Sequence, residues 1–338
     1  MIGHRGPAME ALLARLQPPL RALFGTSRPV YIATSSATGL MEAAIRNGVR
    51  RRVLSLVNGA FSERFHQIAR ACGCEAEKLE VPLGEPNTPD SLERALRDGA
   101  FDAVTVVHSE TSTGVLNPIE ELARVAHAAG DVVLLVDSVT GVGGTRVETD
   151  AWELDVVLTG SQKALALPPG LAFAVANERV LERAKTIPGR GIYFDFLEFE
   201  KGARKHQTPN TPAISLLYAL DAQLAHVHSE SVEQRWARHE AMARRTLNWV
   251  DAMRDRGIEL SVLAPAGYRS PTVTCIRVPE PHKGSRIAGA LEKRGWTIAP
   301  GYGALRDATI RIGHMGDHTV EELDALLAEL TAVLEASA

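Results

Sequence analysis

Short apolar runs recur along the first two thirds of the chain and alternate with longer segments of helical periodicity. Most of the runs are consecutive valine, leucine and isoleucine residues, a pattern typical of strands buried on both faces. Strands that alternate with helices in this way predict a mostly parallel sheet with helices on both faces, an α/β fold. The predicted strands are residues 30–34, 53–57, 103–108, 132–136, 155–159 and 171–176.

Residues 118–129 have the clearest helical pattern between these strands. Their apolar positions share one face, which predicts packing against the sheet. We expect Asn117 to cap the N-terminus, Pro118 to take the first helical position and Gly130 to end the helix.

The pattern changes after residue 212. Two long helical segments come first, and short strands and helices then alternate in a way that predicts a smaller α+β domain. We place the boundary near residue 235, with a large domain at 1–235 and a small one at 236–338. The predicted elements are helices at 212–228, 232–256, 284–294 and 319–335, and strands at 270–278 and 309–312.

Lys163 stands just beyond the predicted strand 155–159 and just before the turn Pro168-Pro169-Gly170. This is the carboxyl end of a strand, where open α/β sheets bind their ligands. Burial there favours the neutral amine, which can form an imine with an aldehyde. The segment alone leaves an ordinary surface lysine as an equal alternative.

Asp137 likewise follows a strongly apolar strand. A carboxylate in that place either caps a helix or turn or accepts a hydrogen bond from a cationic ring nitrogen. Pyridoxal phosphate (PLP) requires a lysine for its aldehyde and an acid that keeps its ring nitrogen protonated. Lys163 and Asp137 together therefore favour a PLP site.

The chain resembles a class V, fold-type I PLP-dependent aminotransferase, nearest to the alanine–glyoxylate, serine–glyoxylate and serine–pyruvate group. This resemblance implies a mostly parallel central sheet with helices on both faces and a smaller C-terminal α+β domain. The matching segments follow the family's order: residues 57–61, 108–114, 137–144, 160–170, 210–215 and 310–316.

By this resemblance, Ser36, Ala37 and Thr38 bind the cofactor phosphate. They precede a helical segment, whose free N–H groups and dipole favour an anion. The residues alone leave simple capping by Thr38 as an equal alternative. Ala37 stands where the family usually has glycine. Because alanine tolerates a positive φ poorly, we expect the local backbone to differ here.

Three further residues resemble the family's contacts to the cofactor ring and its surroundings. Phe61 corresponds to the aromatic side chain that stacks on the ring, Thr111 to the hydroxyl residue near the ring oxygen, and Gln162 to a polar neighbour of ring or phosphate. Without the resemblance, Phe61 would more often be a core residue.

Arg311 corresponds to the residue that grips the substrate carboxylate, with two parallel hydrogen bonds that lysine cannot reproduce. Its place in a strand leaves a solvent-facing arginine as the alternative. Asn210 and Thr211 fall in a loop that reaches the phosphate of the other subunit in relatives. The resemblance therefore implies a homodimer with shared active sites.

The implied activity is PLP-dependent transamination between alanine or serine and a 2-oxo acid, glyoxylate or pyruvate, with Lys163 as the catalytic residue. Phosphoserine aminotransferase is an alternative, because its partner-subunit loop resembles 210–212. A non-catalytic PLP-binding protein is another, because relatives carry a further N-terminal segment. A cysteine desulfurase is disfavoured, since Gln162 replaces the usual histidine and Cys275 lies in a predicted strand.

Composition agrees with this interpretation. The chain has 338 residues and a net charge of −4, which gives no basic footprint for nucleic acid or a membrane surface. Its three cysteines form no disulfide framework, and Cys72-Gly73-Cys74 lacks the spacing of paired zinc ligands. No signal peptide or spanning segment is visible. We therefore expect a cytoplasmic protein that acts on small molecules and binds no metal.

Overall fold

Residues 2–336 are described by a computed structural model, in which helices and strands alternate one by one up to residue 107. All the strands lie in three sheets. In chain order they are β1 (Tyr31–Ala33), β2 (Arg52–Val57), β3 (Glu75–Glu80), β4 (Ala103–Val107), β5 (Ser109–Glu110), β6 (Val115–Leu116), β7 (Val133–Asp137), β8 (Val156–Gly160), β9 (Ala172–Ala176), β10 (Ser261–Val262), β11 (Val273–Arg277), β12 (Ala299–Pro300) and β13 (Thr309–Gly313).

The helices pack on both faces of the central sheet and on the second sheet, and a short 3₁₀ turn (Gly303–Leu305) lies between β12 and β13. In chain order they are α1 (Pro7–Phe24), α2 (Ala37–Gly48), α3 (Ala60–Ala71), α4 (Pro89–Asp98), α5 (Ile119–Ala128), α6 (Glu178–Ala184), α7 (Phe196–Ala203), α8 (Ile214–Glu230), α9 (Val232–Asp255), α10 (Gly284–Glu292) and α11 (Val320–Glu335).

The central sheet has seven strands in the order β1-β9-β8-β7-β4-β2-β3. The neighbours from β8 to β3 are all parallel, and β9 runs antiparallel to both β8 and β1. Strands β4, β7, β8 and β9 are buried at every position. This continuous burial is what their unbroken apolar sequences predict, because helices cover both faces.

Two apolar layers enclose this sheet. One joins the buried faces of α1, α4, α5 and α8 to one side of the strands. The other joins α2, α3, α6 and α7 to the opposite side. The predicted three-layer α/β arrangement is therefore present.

Strand β3 was not predicted from the sequence. It reads Glu-Ala-Glu-Lys-Leu-Glu, and none of its residues is buried, because it forms the edge of the sheet. Charged side chains on an edge strand discourage pairing with another chain, and they also remove the apolar signal of a strand.

The predicted capping of α5 by Asn117 is wrong. The helix begins at Ile119, and Pro118 occupies the cap without a side-chain bond. Asn117 is instead buried at the end of β4, where its amide donates to the Val107 carbonyl at 2.7 Å. Gly130 follows the helix in the left-handed region, with φ of 105°, as a helix end favours.

The second sheet has the order β10-β11-β13-β12 with antiparallel neighbours. It shares an apolar cluster with α9, α10 and α11, which gives the α+β arrangement expected after residue 235. The predicted boundary lies in the first turn of α9, a continuous helix, and the division at this residue stays a prediction. None of the helices within residues 2–336 has the length and apolar content needed to cross a bilayer.

We predict that Phe173→Ala destabilises the protein by about 3–5 kcal/mol, because it leaves a cavity in the core. Phe173 lies in β9 and is fully buried. The free energy of unfolding from urea titration measures this. The control is Leu83→Ala, since Leu83 is 45% exposed and surface changes cost about 0.5 kcal/mol or less. Equal losses in the two variants would contradict the proposed core.

Candidate active site

Strands β2, β4, β7 and β8 are parallel neighbours, so their carboxyl ends meet at one edge of the sheet. A cleft of about 550 Å³ opens at this edge. Eight of the eleven predicted site residues line it, which brings together positions far apart in sequence. These are Ser36, Ala37, Thr38, Phe61, Thr111, Asp137, Gln162 and Lys163.

Lys163 lies in a tight turn that follows β8. The Ser161 hydroxyl donates to the Pro168 carbonyl at 2.7 Å, and the Leu167 N–H donates to the Ser161 carbonyl at 3.0 Å. The lysine is half-buried, and no group within residues 2–336 forms a hydrogen bond with its amine. Burial, and then the charge of Arg311, lower the pKa of Lys163. This shift favours the neutral amine relative to that of a solvated lysine, and the half-buried position does not fit the alternative of an ordinary surface lysine.

Two buried side chains of α9 bind this turn and the loops beside it, and sequence reasoning missed both. Arg235 is fully buried and donates to the Ala164 carbonyl at 2.9 Å and to Asp317 at 2.8 Å. One turn later, the ring nitrogens of His239 lie 2.9 Å from the Gly144 carbonyl and 3.1 Å from that of Gly316. In a single sequence they look like ordinary polar positions of a long, charged helix.

Asp137 is the last residue of β7 and is 3% exposed. Within the described chain the one hydrogen-bond donor to its carboxyl group is the N–H of Val139, at 3.0 Å. Burial is the largest effect and raises the pKa of Asp137 to about 7. The hydrogen bond from Val139 and the charge of Arg64 oppose this rise, and the charge of Glu110 adds to it. The carboxyl group thus makes a turn contact and also lines the cleft, where a cationic partner would favour its ionised form.

The N-terminus of α2 faces the same cleft. Ser36 occupies the cap but accepts no N–H with its side chain, and Thr38 lies in the first turn. Capping by Thr38 is therefore wrong. Ala37 begins the helix and is not in the left-handed region, so the backbone distortion expected from the missing glycine does not occur. Free N–H groups at a helix start favour an anion.

Phe61 and Gln162 contribute an aromatic and a polar side chain to the cleft. Phe61 lies in the first turn of α3 and is half-buried, with its ring 5.8 Å from that of Tyr302. Gln162 is exposed beside Lys163. Phe61 thus belongs to the cleft rather than to the core.

Arg311 approaches the cleft from the second sheet. Its side chain donates to the Pro300 carbonyl at 3.0 Å and to the Thr111 carbonyl at 3.2 Å. Within residues 2–336 no carboxylate pairs with it. Burial lowers its pKa. The alternative of a solvent-facing strand arginine is wrong, because Arg311 contacts the Thr111 loop.

Asn210 and Thr211 do not line this cleft. The Asn210 amide donates to the Tyr193 carbonyl at 3.2 Å, and Thr211 is exposed. Their expected contact is with a second subunit, and it stays a prediction.

The cleft also contains residues that the sequence did not indicate. Among them is Arg64, whose guanidinium lies 5.5 Å from the centre of the Phe61 ring and whose Nη2 is 3.4 Å from the Tyr302 hydroxyl. An arginine one turn into a helix gives no signal by itself. The complete set is Met41, Arg64, Val107, Ser109, Val139 and Thr140.

Within residues 2–336, no three histidine, cysteine, aspartate or glutamate side chains come together as a metal ion requires. The side chains of the cleft can contact the functional groups of an organic ligand. Lys163 can bind an aldehyde, Asp137 a ring nitrogen and the start of α2 a phosphate, while Arg311 can pair with a carboxylate.

We predict that Asp137→Asn removes a pH dependence of stability in the ligand-free protein. Because the folded pKa is about 7 and the ordinary value is 3.8, Asp137 contributes stability at low pH that is lost as the pH rises through 7. Relative to the Asn variant, the native chain should lose up to about 4 kcal/mol between pH 4 and pH 8. Urea titrations across this range measure it, and parallel pH profiles of the two proteins would contradict it.

The sequence is similar to known proteins over nearly its whole length. An uncharacterized aminotransferase of Methanocaldococcus jannaschii is 39% identical over 97% of this chain and 85% of its own. The L-aspartate–glyoxylate aminotransferase of Paracoccus denitrificans is 32% identical over 94% of this chain and 81% of its own.

The fold is also found in solved structures. The crystal structure of an alanine–glyoxylate aminotransferase from Nostoc sp. matches with a TM-score of 0.92 at 29% identity, covering 98% of this chain and 89% of that one. This confirms the predicted fold-type I architecture. The sequence model of the aminotransferase class-V family matches residues 21–326. The chain therefore belongs to the class V aminotransferases.

Proposed function

We propose that this chain binds PLP and catalyses transamination between alanine or serine and a 2-oxo acid, glyoxylate or pyruvate. The observation that carries the proposal is the meeting of Lys163, Asp137 and the start of α2 in one cleft. PLP has an aldehyde, a ring nitrogen and a phosphate, and each finds a chemically matched group there. When bound, PLP supplies an electron sink for a carbanion at the substrate α-carbon.

Lys163 is the catalytic residue of the proposal. Its Nζ would hold the cofactor through the aldehyde carbon and, when free, would accept the proton from the substrate α-carbon. Burial and the charge of Arg311 lower the pKa of Lys163, which favours the neutral amine that this role needs. Asp137 would accept a hydrogen bond from the ring nitrogen and so favour its protonated form.

The remaining predicted residues bind and orient. Phe61 would cover one face of the ring, and Thr111 would contact the ring oxygen. Ser36, Ala37 and Thr38, at the start of α2, would hold the phosphate, with Gln162 as a polar neighbour. Arg311 has no carboxylate partner in the described chain, which supports its role as the clamp for the substrate carboxylate.

The acceptor and the assembly belong to the same proposal. Two relatives act on glyoxylate, by their names, which supports glyoxylate as the oxo acid.

Asn210 and Thr211 lie away from their own cleft and complete the phosphate site of a second subunit, so the active unit is a homodimer. Three unpaired cysteines support a cytoplasmic protein.

The amino donor is tested by a screen of half-reactions. The PLP-loaded protein is mixed with alanine, serine, aspartate or phosphoserine, and conversion to pyridoxamine phosphate is followed. Alanine or serine should react fastest. A preference for phosphoserine would establish a phosphoserine aminotransferase. A preference for aspartate would replace alanine and serine as the proposed donors. PLP binding without conversion by any donor would establish a non-catalytic protein.

We predict that Lys163→Ala abolishes the visible absorption of lysine-bound PLP and lowers turnover by at least about 10⁴-fold, because the covalent attachment and the proton acceptor are both lost. Absorption spectra and steady-state rates measure this. The control is Lys185→Ala, because Lys185 is exposed just after α6 and pairs with Glu182, away from the cleft. Full activity of the Lys163→Ala variant would contradict the proposed function.

We predict that Arg311→Lys raises KM for the amino donor by about 10–100-fold and leaves kcat less affected, because one charged hydrogen bond of a bidentate pair is lost. Steady-state kinetics measure this, with Arg277→Lys as the control. Arg277 is exposed two residues beyond Cys275, the partner of Arg311 in the sheet. Equal KM values in all three proteins would show that Arg311 does not bind the carboxylate.

A further inference from the structure

Glu110 is a fully buried carboxylate that lies beside the cleft without lining it. It ends β5 and directly precedes Thr111. Its oxygens accept from the N–H groups of Phe61 at 3.1 Å, Ser62 at 2.9 Å and Ser112 at 3.1 Å. The hydroxyls of Ser62 and Ser112 donate at 3.0 and 2.5 Å. An ionised carboxylate is a pure acceptor, so this set of donors fits its charged form.

These bonds join two segments that are far apart in sequence. Phe61 and Ser62 lie in the first turn of α3, whose N–H groups have no partner within the helix. Glu110 caps that turn from the neighbouring strand end, and its charge matches the helix dipole. The Ser112 hydroxyl also accepts from the Ala60 N–H at 2.9 Å. The start of α3, which carries Phe61, is therefore fixed against the loop that carries Thr111.

Gly59 gives a second, independent indication of this contact. A Cβ at residue 59 would lie 2.4 Å from Glu110 Cγ and 2.4 Å from Ser112 Oγ. No side chain fits at these distances. The residue before α3 must therefore be glycine if the carboxylate is to reach the helix N–H groups.

The same loop supports Arg311, which donates to the Thr111 carbonyl at 3.2 Å. Burial lowers the pKa of Arg311, and the charge of Glu110 opposes that change. Glu110 thus affects Arg311 in two ways without a hydrogen bond between the two side chains: it fixes the loop whose Thr111 carbonyl binds Arg311, and its negative charge favours the charged guanidinium.

We propose that Glu110 is a positioning residue of the transamination site. It sets the Phe61 ring, the Thr111 hydroxyl and the Arg311 guanidinium relative to one another, and it touches neither cofactor nor substrate. This role rests on the proposed function, in which these three groups contact the cofactor ring and the substrate carboxylate.

The test compares Glu110→Gln with Asp155→Asn. Gln keeps the size of the side chain, but its amide group turns one acceptor into a donor that faces N–H groups. Asp155 is a matched control, because it is 1% exposed and accepts from the Leu134 N–H and the Asn177 amide, each at 2.8 Å. It precedes β8 and so lies at the opposite edge of the sheet.

Three measurements on folded protein decide the question. In ligand-free Glu110→Gln, amide hydrogen exchange should rise at least about tenfold in segments 58–66 and 109–116, because the N–H groups lose their acceptor. In the PLP-loaded variant, the visible circular dichroism of the cofactor should change. The ratio kcat/KM should fall about 10–100-fold, since small misplacements of binding groups cost that much. Asp155→Asn should leave all three within twofold of the native values.

If Glu110 had only a structural role, both variants would have a lower unfolding temperature. Folded Glu110→Gln would then keep the native local hydrogen exchange, cofactor dichroism and kcat/KM. That result would overturn the proposal. If Glu110→Gln does not fold, Ser112→Ala removes one donor and should shift the three readouts in the same direction, by about threefold for kcat/KM. Unchanged readouts in Ser112→Ala overturn the proposal as well. If the native chain converts no amino acid, the proposed function fails, and exchange and dichroism still decide the role of Glu110.

Discussion

The buried guanidinium of Arg235 is the contact that ties the two sheets together at the cleft. A fully buried charge costs several kcal/mol unless it is paired and hydrogen-bonded. Arg235 is paired with Glu230 and Asp317 and donates to the Ala164 carbonyl, although its Nε has no hydrogen-bond partner in the described chain. Asp317 follows β13, which carries Arg311, and Ala164 follows Lys163. Satisfying one buried charge therefore brings the lysine turn and the end of the Arg311 strand to the same place.

Close backbone packing reinforces this constraint. His239, on the same face of α9, contacts the carbonyls of Gly144 and Gly316. Gly316 has a φ of 76°, and a Cβ there would lie 3.1 Å from the Cβ of Ala166. The left-handed backbone of residue 316 and this short distance both favour glycine where the loop after β13 meets the lysine turn. The contacts of α9 and this glycine thus hold the loop after β13 beside the lysine turn.

Much of this could be predicted from the sequence. Buried strands have unbroken apolar sequences, so the six strands predicted in the first domain are all present, whereas β3 was missed because its charges belong to an edge. Lys163 and Asp137 were recognisable because each stands at or just beyond the end of an unbroken apolar run. Arg235, His239 and Glu110 were not, because their roles depend on acceptors or donors brought near by folding. Asn117 shows the same limit, since its amide contacts the end of β4 and does not cap α5.

In the proposed function, the residues that carry the chemistry contact parts of the substrate that all amino acids share. Arg311 would pair with a carboxylate and Lys163 would act on an α-carbon, so both roles define a reaction and neither selects a side chain. In that function, selection would fall to other side chains at the cleft, among them Phe61 and Arg64, which both contact Tyr302: two rings lie 5.8 Å apart, and the Arg64 guanidinium lies over the Phe61 ring. Differences of one methylene in such a surface change binding by about 1–3 kcal/mol, while a group left without its hydrogen bond costs more. Within the proposed function, Arg64 is a polar group without a carboxylate partner in the described chain, so the second and larger cost applies to it.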